Sequence, residues 1–244
     1  MWKLRAVLLS APAIVLLTVV MGSMSLVCSI WDRTGHAQHR LAQIWSRILL
    51  ALGFTQCEVY GVEKIDLSKS HVLVANHSSY MDIPAIMGTI PLQLRFYAKK
   101  GLFSIPFLGW HLHRAGHLPV IRGDARASVK SMAEGARVIR EQGISLLLFP
   151  EGGRTHEHMR PFKEGAAHIA IKAGVPIVPI GLTGARDVLP MESLLIRGGR
   201  IEVHIGDPIP TVGMTTHDRA RLSEMLQEQV AALAGQKVVE KVAS

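Results

Sequence analysis

From Ala6 to Ile30 the chain holds no Asp, Glu, Lys, Arg or His. As a helix this run would reach about 37 Å at the standard rise, against a hydrocarbon core of about 30 Å, so the pattern predicts a membrane anchor. A signal peptide would share the basic start at Lys3 and Arg5. The run is longer than a usual signal core, however, and no clear small-x-small cleavage site precedes Trp31. Pro12 and the cluster Gly22, Ser23, Ser25 leave open a re-entrant hairpin instead of a span. Leu41, Ile44, Trp45, Ile48, Leu49 and Leu52 then recur at helical spacing with Arg40 and Arg47 between them. That pattern fits an interfacial amphipathic helix or a helix packed on a core.

After Gly53 short apolar runs alternate with longer amphipathic ones, which predicts an α/β fold: a mixed, mostly parallel sheet flanked by helices. The expected strands are 71–75, 94–98, 118–121, 145–149, 177–180 and 201–205. Asp124 to Gln142 reads as a helix capped by Asp124, with Val129, Met132, Ala136 and Ile139 inward and Gly143 ending it. A last helix follows a Thr215–Asp218 capping box, with Leu222, Met225, Leu226 and Leu233 inward. No repeat or low-complexity tract divides the chain. The single expected boundary separates a membrane-anchoring helical region, residues 1–54, from a catalytic domain, residues 55–244.

Composition adds a partner class. The 244-residue, 26.7 kDa chain is 48% hydrophobic, yet carries a formal charge of +8 and a pI of about 9.8. It calls for an anionic partner: an acidic membrane surface, a phosphorylated substrate or nucleic acid. The basic residues are dispersed and no nucleic-acid motif occurs, so nucleic acid is set aside. Two cysteines, Cys28 and Cys57, suggest neither a disulfide framework nor a cysteine metal site. Basic residues flank the apolar run on both sides, so charge asymmetry does not fix its orientation.

Chemistry concentrates where apolar strands stop. In VANHSSYMD, His77 and Asp82 stand in the turn and first helical residues after a strand, where sites of α/β sheets gather. A carboxylate that orients an imidazole makes the base half of a catalytic triad; the plainer reading is a helix-capping Asp82 and a turn histidine. No G-x-S-x-G elbow is present, so a base here would act on a hydroxyl brought by the substrate. FPEGGRT, 149–155, offers Glu151 to fix a turn, Gly152 for close backbone approach and Arg154 for a phosphate. A salt-bridged surface turn is its alternative. Lys99 to Arg122 sets an apolar stretch between basic residues, as an acyl groove with a cationic mouth or as plain core. His111/His113 and His156/His158 have ligand-like spacing, but carboxylates and cysteines do not gather around them consistently, and no metal site is expected.

NHSSYMD, a K-x-L-x-x-x-P-x-x-G run leading to Arg122, FPEGGRT and VPIVPI occur in that order. Together they resemble the four blocks of the glycerolipid acyltransferase family, and within it the lysophosphatidate acyltransferases. The resemblance spans about residues 72–183 and implies His77 as general base and Asp82 as its orienting partner. It implies acceptor-phosphate binding at Glu151, Gly152, Arg154, Arg122, Lys100 and Lys163, and acyl-site positions at Pro106, Gly109, Val175, Pro176 and Pro179. Gly153 departs from the family pattern, which usually has Thr there. The implied reaction is acyl transfer from acyl-CoA or acyl carrier protein to the sn-2 hydroxyl of 1-acylglycerol-3-phosphate, without cofactor. The expected partners are the lipid bilayer, lysophosphatidic acid and the acyl donor. The expected location is the inner, cytoplasmic membrane, with the catalytic domain facing the cytoplasm. Two other readings stand beside it: an acyltransferase for another lysolipid such as a lyso-ornithine lipid, and a non-catalytic protein that binds anionic lipid.

Overall fold

The computed structural model describes residues 2–120, 125–154 and 158–238. Its strands are β1 (Thr55–Tyr60), β2 (Val72–Ala75), β3 (Leu94–Lys99), β4 (Leu118–Val120), β5 (Ser145–Leu148), β6 (Ile177–Thr183) and β7 (Gly199–Ile205). Its main helices are α1 (Trp2–Cys28), α2 (His36–Leu52), α3 (Asp82–Thr89), α4 (Leu108–Arg114), α5 (Ala125–Gln142), α6 (Gly165–Ala173) and α7 (Arg219–Ala234). The fold is α/β with mostly parallel strands flanked by helices, as the alternation of apolar runs predicts. The chain divides into two compact units, one of residues 1–58, 79–121 and 184–202, the other of 59–78, 122–183 and 203–244.

In the second unit β2 lies between β5 and β6, parallel to both, with Val72 opposite Leu146 and Ile177. Val72 through Ala75 are fully buried, which is why this strand is apolar at every position rather than at alternate ones. Ser145 closes the start of the sheet by accepting the His71 N–H on its Oγ at 3.0 Å. Asn76 closes the other end: its Oδ1 accepts the Leu182 N–H at 2.8 Å and its Nδ2 donates to the Leu182 carbonyl at 3.0 Å. A buried amide thereby takes over the hydrogen bonding that the ending strand would leave unmet.

Helix α6 buries Ala166, Ala167, Ile169 and Ala170, while α7 buries Leu222, Leu226 and Val230. The Thr215–Asp218 capping box forms. Two expected core positions do not hold. Met225 is 38% exposed, because it lies off the four-residue line that joins Leu222, Leu226 and Val230. Val129 is 54% exposed, since α5 buries its C-terminal half, at Ala136, Val138 and Ile139. The expected cap Asp124 lies outside the described residues.

In the first unit α1 continues without reversal from Trp2 to Cys28, through a π-turn at Ala6–Ser10. Pro12 stands in the first turn after it, where its missing N–H costs little. This helix is long and apolar enough to cross a membrane, and only 11% of its most apolar stretch is buried. Helix α2 packs on α1, with Trp45 Nε1–H donating to Thr18 Oγ1 at 3.1 Å. It also packs on α3, with Arg47 Nε–H donating to the Gly88 carbonyl at 2.9 Å. Leu49 and Leu50 are buried on this side, but Ile44 and Ile48 remain exposed. The helix is thus packed on its neighbours along one side, as the core reading of the amphipathic stretch expects. Strand β1 escapes the apolar pattern because TQCEVY carries polar residues at alternate positions and half-buried neighbours. Arg95 is fully buried in this unit, its guanidinium donating to the carbonyls of Leu94 at 2.9 Å and Thr34 at 3.1 Å.

Candidate active site

In the second unit the ends of β2 and β5 place His77 beside the FPEGGR turn. The His77 ring stacks on Phe149, with centroids 4.2 Å apart and planes 22° from parallel. Glu151 is buried and divides its carboxylate between two backbone donors: Oε1 accepts the His77 N–H at 2.8 Å and Oε2 the Arg160 N–H at 3.1 Å. One side chain thus fixes the turn that carries the imidazole and the segment that returns after the glycines. Charge-assisted bonds of this kind are stronger than neutral ones.

Gly152 closes a turn, its N–H donating to the Phe149 carbonyl at 3.1 Å, with φ of +74°. A Cβ there would lie 2.9 Å from Lys163 Nζ. Glycine therefore serves two purposes: it takes the left-handed backbone and lets an ammonium group approach. Arg160 Nη1 would lie 3.8 Å from a Cβ on Gly153. Arg154 is half-buried on the same turn. Two cationic side chains, Lys163 and Arg160, thus approach a glycine turn that also carries Arg154 in its chain and is tied through Glu151 to the His77 backbone. Arg160 is the member that the family pattern did not mark.

In the first unit Asp82 is fully buried at the start of α3, and its Oδ2 accepts the Ser79 N–H at 2.9 Å. Ser79 Oγ in turn accepts the Met81 N–H at 3.1 Å and donates to the Leu189 carbonyl at 2.8 Å. The carboxylate is held by the turn that precedes α3, and the helix itself receives no side-chain cap bond, so the helix-capping role weighed from sequence is not the one seen.

The same unit holds a cavity of about 730 Å³, within the roughly 300–1,000 Å³ of small-molecule sites. Its walls are apolar side chains of α1, α2 and α4 together with Tyr80, Met81 and Ile83, the neighbours of Asp82 in sequence. Few polar groups line it. Ser25 Oγ and His111 Nδ1 hydrogen-bond to each other at 2.8 Å, and His117 Nδ1 accepts the Phe96 N–H at 3.2 Å. Burial pushes the pKa of both histidines down, that of His117 strongly.

The remaining sequence-marked residues separate. Lys100 is exposed in a 3₁₀ turn, and Pro106 is exposed just before α4. Gly109 is buried where a Cβ would meet the Phe103 carbonyl at 2.1 Å, so it serves helix packing. Val175 and Pro176 sit at the start of β6, the opposite strand end from His77: the Pro176 carbonyl accepts the Val72 N–H at 3.0 Å, and the Val175 carbonyl accepts Thr211 Oγ–H at 2.9 Å. Pro179 lies inside β6, in register with Val74. Neither Pro106, Gly109 nor these three line the cavity. Arg122 lies outside the described residues. Among the described residues no group of three or more His, Cys, Asp or Glu is placed to hold a metal ion.

The family model described as Acyltransferase matches residues 56–183, more than half of the chain. The chain belongs to the acyltransferase family. It is 34% identical over 174 residues to a chloroplastic 1-acyl-sn-glycerol-3-phosphate acyltransferase of Brassica napus, covering 70% of this chain and 50% of that one. To the 1-acyl-sn-glycerol-3-phosphate acyltransferase of Limnanthes douglasii it is 32% identical over 206 residues, covering 82% and 71%. The crystal structure of the 1-acyl-sn-glycerophosphate acyltransferase from Thermotoga maritima superposes with a TM-score of 0.79 at 26% identity, covering 96% of this chain and 97% of that one. The chain spans about half the length of the Brassica relative and 56% of a chloroplastic relative from Arabidopsis thaliana.

Proposed function

We infer that this member of the acyltransferase family moves a fatty acyl group from an acyl thioester, acyl-CoA or acyl carrier protein, to the sn-2 hydroxyl of 1-acylglycerol-3-phosphate, forming phosphatidic acid. The observation that carries the reading is the approach of Lys163 and Arg160 to a glycine turn that is followed in sequence by Arg154 and tied through Glu151 to the His77 backbone. A phosphomonoester held by these cations would bring an adjacent hydroxyl toward the imidazole. His77, oriented by Asp82, takes the hydroxyl proton as the oxygen attacks the thioester carbonyl. The C–S bond then breaks, and the thiolate leaves with the proton returned by the imidazolium. General-base assistance of this kind contributes about 10²- to 10⁴-fold. No protein nucleophile and no cofactor enters the scheme.

The acyl chain of the donor is assigned to the cavity of the first unit. Residues 1–54 act as the membrane-anchoring region and 55–244 as the catalytic domain, working at the cytoplasmic face of the inner membrane. The test is thiol release from a long-chain acyl-CoA by the detergent-purified chain, with lipid products identified by mass spectrometry. Lysophosphatidate-dependent thiol release with phosphatidate as product, lost in His77→Ala, is the expected result. Product formed only with acceptors lacking a phosphomonoester would overturn the choice of acceptor, and no transfer to any lysolipid would overturn the activity.

A further inference from the structure

Phe107 has φ of +70° and ψ of −59°, and the Leu108 N–H donates to the Pro106 carbonyl at 2.8 Å. This is a γ-turn of the rare, strained hand, centred on a bulky aromatic residue rather than on glycine. Strained backbone of this kind persists where the surroundings over-determine it, and it clusters at switches and ligand clamps. The surroundings here are specific. The Phe107 ring lies against Gly22 of α1, where an added Cβ would stand 2.7 Å from Cε1 and 3.1 Å from Cζ. Both residues line the apolar cavity, and Phe107 is also 39% exposed, so its ring stands at the cavity rim. Around it Leu102, Ile105, Leu108 and Trp110 present exposed apolar side chains, a surface suited to an acyl chain or a bilayer rather than to water.

We propose that Phe107 is the gate of this cavity: the γ-turn holds the ring closed against Gly22, and relaxation of the turn to ordinary backbone swings it away and admits the acyl chain between α1 and α4. The occupant is a long unbranched acyl chain, matching walls that are almost wholly apolar. Gly22 is what makes the closed position possible, because any larger residue would contend with the ring for the same space. The proposal rests on the reading of the cavity as the acyl-donor site and adds the element that controls entry to it.

A gate differs from a wall in what its removal changes. Losing a wall residue weakens binding through dissociation; losing a gate speeds entry and exit together. The experiment is stopped-flow uptake of cis-parinaric acid, a fluorescent long-chain fatty acid, by the full chain in detergent, with detergent alone as baseline. Phe107→Ala should accelerate association and dissociation each by about 10-fold or more, with Kd moved by less than about 3-fold, and Phe107→Leu should fall between. Circular dichroism establishes that each variant is folded. Gly22→Ala should alter the rates of the unmutated chain and lose that effect in the Phe107→Ala background, since residues in contact couple non-additively.

Unchanged association rates in both Phe107 variants, a Kd shift carried by dissociation alone, additive effects of the two substitutions, or failure of the unmutated chain to take up the probe would each overturn the gate. The probe needs no turnover, so the two readings fail separately. Absence of acyl transfer with gated uptake intact defeats the proposed activity. Normal acyl transfer with ungated uptake defeats the role of Phe107.

Discussion

Two turns of this chain, one at the proposed phosphate site and one at the proposed gate, are built in opposite ways. In the turn from Phe149 to Gly152 the left-handed position is filled by glycine, and buried Glu151 ties the turn through two backbone N–H groups to neighbouring segments. In the turn from Pro106 to Leu108 the positive φ falls on phenylalanine; its hydrogen bonds are local backbone ones, and its contact with a distant element is the ring against Gly22. The first arrangement is relaxed and over-tied, as the proposed joint placement of an imidazole and a phosphate requires. The second stores strain, as the proposed gate requires. A hydrophobic contact can be released without orphaning a buried polar atom, whereas releasing Glu151 would orphan two.

The largest effect should therefore follow from untying the first turn. Glu151→Ala leaves the His77 and Arg160 N–H groups without their carboxylate and should cost about 2–4 kcal/mol of stability. Chemical denaturation reads that loss, and acyl transfer in the protein that remains folded should fall by at least about 100-fold through misplacement of His77. A Glu151→Ala variant of native stability and rate would show the tie to be ornamental and dissolve the contrast between the two turns.

Acid should sharpen the contrast by loosening the first unit more than the second. Burial, and secondarily the charge of Arg95, push the pKa of His39 down to about 4, while its ring bonds the Leu92 carbonyl at 2.7 Å. His111 and His117 are lowered in the same unit, also chiefly by burial. The unfolded chain takes up these protons near pH 6.5, and folded His39 only near pH 4. Stability is therefore complete above pH 6.5 and is lost progressively as pH falls toward 4, by up to about 3 kcal/mol from His39 alone. The second unit has lowered histidines too, His71 and His168, but His168 is only partly buried. Hydrogen exchange at pH 5 and pH 7, corrected for intrinsic rates, should show the greater loss of protection in residues 36–52 and 94–118. Equal loss in 72–76 and 145–149 would remove the distinction.

Much of the polar turn was legible in the sequence and little of the apolar one. FPEGGRT and NHSSYMD stand out through their ordered company more than singly, since each alone has a plainer reading, and the structure has Glu151 fix the turn as its chemistry suggests. Arg160 was hidden because a lone arginine in a loop carries no spacing signal; it matters only because Glu151 folds its backbone toward the glycines. The cavity lining was harder still. Apolar residues look alike whether they fill a core or line a cavity: Val175, Pro176 and Pro179 drew attention through their block and lie outside the cavity, whereas Phe107, Leu108 and Leu112 of the 99–122 stretch, read as groove or core, do line it. The fold itself was readable from alternation, apart from β1, whose polar TQCEVY resembles a linker. Val129 and Met225 show the finer limit: helical period predicts a face but not how far along the helix that face stays covered.

The next effect concerns glycine in its ordinary role. Gly152→Ala places a Cβ at a φ of +74° and 2.9 Å from Lys163 Nζ, which should cost about 1–2 kcal/mol from the left-handed backbone. Lys163 is exposed and can yield, so the cost is conformational, and the displaced ammonium should raise the KM for lysophosphatidate more than it lowers kcat. A stability equal to that of the unmutated chain would mean that the turn rearranges freely, contrary to the tie through Glu151.

The smallest effect is the most diagnostic, because it reverses a usual order. At most positions alanine is more stable than glycine, since glycine gives up more freedom on folding. At position 107 both substitutions remove the ring equally, so their difference isolates the backbone, and at φ of +70° that backbone suits glycine. Phe107→Gly should therefore exceed Phe107→Ala in stability by about 1 kcal/mol, measured as paired denaturation midpoints at equal m-value. If alanine proves the more stable, the turn has relaxed once the ring is gone. In that case the ring alone had been holding the strain, and the two variants would report the closed and released backbones of the same element.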